Sequence, residues 1–106
     1  MKELTEVDFS LAEKGWALVL FETLWCPHCH AMRPVLKEIE ADYPSLGVYR
    51  VNAENAPTLA HRFSVSTVPT LLLLKDKEEK ARAFGFLRDV DGFLAEAGIQ
   101  KSKAPV

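Results

Sequence analysis

Two short stretches with no polar face govern what this chain can become: Ala17-Leu18-Val19-Leu20-Phe21 and Thr70-Leu71-Leu72-Leu73-Leu74. A strand with one wet face alternates polar and apolar residues, whereas a strand covered on both faces reads as a continuous apolar run. Both stretches are therefore predicted as central strands with helices above and below. Helical spacing surrounds them. Met32, Val35, Leu36, Ile39 and Tyr43 recur on one helix face up to Pro44. Pro34 falls inside that helix, and its missing ladder hydrogen bond predicts a kink. Residues 7–14, with apolar Val7, Phe9 and Leu11, predict a first helix stopped by Gly15. Residues 48–51 read as a strand and 56–63 as a short helix with Pro57 in its first turn. A charged turn at 75–79 leads to a weaker strand at 80–84, nearer the sheet edge. Asp89 is placed as the cap of a last helix burying Val90, Phe93 and Leu94, and residues 101–106 read as a flexible tail. The order αβαβαββα predicts an α/β fold, a central mixed sheet with helices on both faces.

At 106 residues the chain suits one domain, 1–106. Its 13 basic and 15 acidic residues give a net charge of −2, which offers no footprint for nucleic acid or an anionic membrane. The apolar runs at 16–21 and 68–74 are far shorter than a bilayer span. The opening residues mix charged with apolar side chains and lack the apolar core of a signal peptide. The expectation is a soluble, cytoplasmic monomer.

The chemistry is concentrated in one pentapeptide. Both cysteines lie in Trp25-Cys26-Pro27-His28-Cys29, too close together to staple distant parts of a small secreted protein. If Cys26 caps the long helix, Pro27 takes the first helical position, where its missing N–H costs nothing. The free amides of His28 and Cys29, with the positive end of the helix dipole, then favour a thiolate at Cys26. Cysteines so placed have pKa values of roughly 3.5 to 7.5 rather than about 8.5. Cys26 is the expected attacker. Cys29, one turn inward, is expected to be buried and to resolve a mixed disulfide. A protonated His28 would add a cation beside the thiolate and make the disulfide more oxidising. Its alternative is an exposed polar residue without influence.

Cys26-Pro27-His28-Cys29-His30 also satisfies the C-x-x-C-H pattern for attaching a c-type haem. A haem is disfavoured because the alternating α/β pattern supplies its own core. Structural zinc needs four ligands, and beyond Cys26, Cys29 and His30 only the distant His61 could serve. Neither metal nor another cofactor is expected.

With these residues in view, the chain resembles the thioredoxin family from about residue 7 to 97. Trp25-Cys26-x-x-Cys29 looks like the redox motif, Pro34 stands where the family kinks its active-site helix, and Val68-Pro69-Thr70 looks like the cis-proline segment. Gly85 follows at the spacing of a glycine lining the same surface. The resemblance implies a thioredoxin-like fold and a thiol–disulfide oxidoreductase acting on protein disulfides, with a reductase or oxidant as redox partner. It implies a cis Val68-Pro69 bond, a tolerable cost for X–Pro. It also implies that the Val68 backbone pairs with an extended substrate strand, while Trp25, Thr67, Pro69 and Gly85 border the groove.

Two departures matter. Typical thioredoxins carry a buried aspartate where this sequence has Leu20. Glu22, two residues on and so on the same strand face, is a candidate substitute base for Cys29; the bland alternative is a solvated carboxylate at a strand end. Pro27-His28 replaces the usual Gly-Pro and looks like the dipeptide of periplasmic disulfide-forming oxidants, which leaves the net direction of exchange, reductase or oxidase/isomerase, open. Arg50 reads as a surface arginine, with pairing to Glu22 as the alternative. A second functional class stands beside the enzyme: a thioredoxin-like binding module with incidental redox activity. Retention of both cysteines weighs against it, because binding alone needs no resolving thiol.

Overall fold

The structure, a computed structural model, describes residues 1–99; the predicted tail at 101–106 lies outside them. Five strands, β1 (Lys2–Leu4), β2 (Trp16–Glu22), β3 (Gly47–Asn52), β4 (Thr70–Lys75) and β5 (Glu78–Phe84), form one sheet in the order β1-β3-β2-β4-β5. β3 runs parallel to β1 and β2, whereas β4 is antiparallel to both β2 and β5. The sheet is mixed, as predicted. β2 sits at its centre, which is why its five-residue run has no polar side.

Three helices, α1 (Pro27–Asp42), α2 (Pro57–Arg62) and α3 (Val90–Glu96), cover the two faces. Alternation along β2 divides the core. Ala17, Val19 and Phe21 pack with Leu72, Leu74, Leu59 and Phe63 on the α2 side. Leu18 and Leu20 pack with Met32, Leu36, Ile39, Leu71, Leu73 and Leu94 on the side of α1 and α3. Each leucine buried in this way contributes roughly 1.5–3 kcal/mol. α1 continues through Pro34, and α3 starts at the predicted cap, where the Asp89 carboxylate accepts from the Gly92 amide at 2.9 Å.

Three expectations need correction. The first helix is a short 3-10 segment, Phe9–Glu13. Phe9 and Ala12 are its buried residues, while Val7 and Leu11 are exposed. A single turn anchored by one aromatic leaves too few apolar positions to fix a helical period. Strand β1 was not anticipated, because only Leu4 of its three residues is buried and its pairing to β3 rests on backbone hydrogen bonds. The β4–β5 turn is also tighter than the predicted 75–79. Lys75 pairs with Glu78, and Asp76 and Lys77 between them have φ of 48° and 78°, the left-handed pair that a two-residue hairpin requires. Lysine in place of the usual glycine hid the turn. Gly15 holds it in place: its amide donates to the Asp76 carboxylate at 2.8 Å, and its carbonyl accepts from the Asp76 amide at 3.0 Å.

Candidate active site

The end of β2 and the start of α1 bring the two cysteines together. Cys26 is the N-cap of α1, in an extended conformation, and Pro27 takes the first helical position. The Cys29 amide donates to the Cys26 Sγ at 3.1 Å. Cys26 and Cys29 are joined as a disulfide, with Cα atoms 5.2 Å apart. Cys29 is fully buried and Cys26 is half-buried, so the outer sulfur is the one a partner reaches first. His28 is exposed. The loop entering the motif is tied down by His30, whose Nε2 lies 2.9 Å from the Leu24 carbonyl, a role that the haem and zinc alternatives did not anticipate.

The register carries three loops to the same end of the sheet. Phe21 pairs with Thr70, and Thr70 pairs with Phe84; one step beyond this row lie the cysteine loop, the Val68-Pro69 turn and Gly85. The Val68-Pro69 bond is cis. Thr70 Oγ1 donates to the Thr67 carbonyl at 2.7 Å, and the Gly85 amide donates to the Pro69 carbonyl at 2.8 Å. Gly85 has φ +74°, a conformation that a side chain at this position would strain. Trp25, Phe84 and Phe86 are large apolar side chains left open to solvent, Trp25 at 83% exposure. The two phenylalanines flank Gly85 and were not singled out from sequence, although exposed aromatics on either side of a groove glycine are a readable signal.

Glu22 is 2% exposed, which removes the reading of a solvated strand-end carboxylate. Arg33 approaches it side-on, Nε to Oε1 at 3.0 Å and Nη2 to Oε2 at 3.1 Å. Arg50 Nη1 reaches Oε2 at 3.3 Å and also pairs with Glu3 at 2.9 Å. Arg50 is therefore not a free surface residue. Arg33 was missed from sequence, yet a carboxylate on the inner face of a central strand demands a cation, and Arg33 stands one helical turn beyond Cys29.

Among the described residues no group of three or more His, Cys, Asp or Glu side chains is arranged to hold a metal ion. None of the helices described is long and apolar enough to cross a membrane.

The thioredoxin family model matches residues 2–96. The chain is 36% identical over 80 residues to a thioredoxin of Chlamydia trachomatis, spanning 76% of this chain and 78% of that one. A Staphylococcus aureus thioredoxin is 34% identical over 86 residues, spanning 79% and 83%. The X-ray structure of Fasciola hepatica thioredoxin superposes with a TM-score of 0.83 at 24% identity, covering 92% of this chain and 99% of that one, and so shares the fold. With a redox-active cysteine pair on this fold and family relatives along most of its length, the chain belongs to the thioredoxin family and is a thioredoxin-type disulfide oxidoreductase.

Proposed function

We propose that Cys26 attacks disulfides of protein substrates and that Cys29 resolves the intermediate. The observation that supports this most directly is the Cys29 amide at 3.1 Å from the Cys26 Sγ, with Cys26 the more accessible of the two sulfurs. In the dithiol form that amide and the α1 dipole favour a thiolate at Cys26. The thiolate bonds to one substrate sulfur and expels the other as a thiolate. Cys29 then loses its proton and attacks the Cys26 sulfur, closing the Cys26–Cys29 disulfide and releasing the second substrate sulfur. Two electrons pass from protein to substrate, and a reductase or small dithiol returns them. An oxidant partner would drive the same steps in reverse.

Glu22 is the buried carboxylate of the described residues and lies on the face of the sheet that α1 covers. It is the acceptor we assign to the Cys29 proton, through water, with Arg33 holding it in place. Substrate backbone lies along Val68, bordered by Trp25, Thr67, Pro69 and Gly85, while Pro27 and His28 tune the potential. The protein works as a single-domain monomer in the cytoplasm, where a disulfide of this kind is transient and catalytic.

Reduction of insulin by dithiothreitol, followed as turbidity, tests the reading. The wild type accelerates precipitation and Cys26→Ser does not. Absence of acceleration by the wild type, or full acceleration by the variant, overturns it.

A further inference from the structure

Beside the Val68 turn, on the side away from Gly85, lies a cavity of about 280 Å³. This is room for one side chain, below the usual size of a small-molecule site. Ala53, Ala60, Val65 and Val68 give it apolar walls, Thr23, Ser66 and Thr67 add small polar side chains, and Glu54 is the one charged residue lining it. Alanines at 53 and 60 leave the space open. Glu54 belongs to a turn that is firmly held. Its own amide donates to Asn52 Oδ1 at 3.0 Å, the Ala53 amide donates to the Glu22 carbonyl at 2.8 Å, and the Asn55 amide donates to the Asn52 carbonyl at 3.0 Å. The Glu54 carboxylate is exposed and has no partner among the described residues. Arg62, the guanidinium of neighbouring α2, is committed to Glu13 at 2.8 Å and lies over the Phe63 ring.

We infer that this cavity is a specificity pocket for a lysine or arginine close to the substrate cysteine. Apolar walls with a single free carboxylate match a side chain whose methylene stem is apolar and whose end is cationic. An uncharged aliphatic chain leaves Glu54 unused, and an acidic one meets like charge. A substrate strand running along Thr67 and Val68 passes the mouth of the pocket, and strand alternation turns one of the side chains near its cysteine inward. The inference rests on the oxidoreductase reading and adds the substrate class to it.

The test is reduction of a series of disulfide peptides that carry Arg, Gln or Glu at each position within two residues of the cysteine. At one position the wild type prefers Arg over Glu by about three- to fivefold in kcat/KM, the scale of a partly exposed ion pair, and the preference shrinks with added salt. Glu54→Gln abolishes it while turnover of the Gln peptide is unchanged, and Glu54→Arg reverses it. Equal rates for Arg and Glu peptides at every position, or a preference that survives in Glu54→Gln, overturns the pocket and leaves the oxidoreductase reading standing. Failure of the wild type to reduce any peptide, or insulin, overturns both.

Discussion

Arg33 grips Glu22 with two hydrogen bonds, at 3.0 and 3.1 Å, and so joins the end of β2 to the turn of α1 that follows Cys29. The loop between the two tied segments leads into Cys26, the cap of α1, and Cys29 lies one turn before Arg33 on the same helix. Glu22→Gln keeps the shape and removes the charge, leaving Arg33 and Arg50 facing a neutral amide. Loss of charge-assisted hydrogen bonds at a buried site is expected to lower stability by about 1–3 kcal/mol, read from urea unfolding. If Glu22 accepts the Cys29 proton, the variant also reduces insulin about tenfold more slowly, a modest share of what acid–base catalysis supplies, and its pH profile moves. Lost stability with an unchanged rate and pH profile would confine Glu22 to holding the two segments.

Tyr43 marks a second link, between α1 and α3. Its hydroxyl donates to Asp91 Oδ1 at 2.6 Å. Burial first, and then the Asp91 hydrogen bond, push its pKa up from 10.0 to about 12. Between those values the unfolded chain gives up a proton that the folded protein keeps. This contribution to stability is complete below pH 10 and is lost as pH rises toward 12. Thermal melts from pH 8 to 12 should show a decline in Tm across this window that is shallower in Tyr43→Phe. An identical decline in the variant would assign the alkaline loss to other groups.

The architecture was legible because its main signals are local. The apolar runs of β2 and β4, the helical period from Met32 to Tyr43 and the Asp89 cap all reappear in the structure. What escaped depended on partners distant in sequence. β1 is specified by pairing Leu4 with Val51, and a three-residue strand has no period of its own. The Asp76-Lys77 turn is set by the strands it joins and by Gly15, 61 residues away for the side-chain bond. At the site, the cysteine pair was readable from spacing, because capping chemistry acts within one turn. The Arg33–Glu22 pair spans 11 residues and the Arg50–Glu22 pair 28; sequence supplied the lone acid and not the geometry of its partners.

His28 occupies an exposed position on the first turn of α1, two residues after Cys26. A histidine that carries positive charge there stabilises the thiolate form and raises the reduction potential. For this two-electron couple a shift of about 30 mV corresponds to about 1.4 kcal/mol, within the reach of one neighbouring charge. Equilibration against glutathione, read by tryptophan fluorescence, should give His28→Pro a potential lower by roughly that amount or more. Equal potentials for the two proteins would exclude His28 from setting the redox poise.

The assignment of unequal roles to the two sulfurs is tested most directly by trapping. Reduced Cys29→Ser and reduced Cys26→Ser are each mixed with a disulfide peptide, quenched with acid and weighed by mass spectrometry. With Cys26 as attacker and Cys29 as resolver, Cys29→Ser accumulates a mixed disulfide through Cys26, and Cys26→Ser, whose remaining thiol is buried, stays unmodified over the same interval. Capture of the peptide by Cys29 in Cys26→Ser, as fast as by Cys26 in the other variant, would contradict the account.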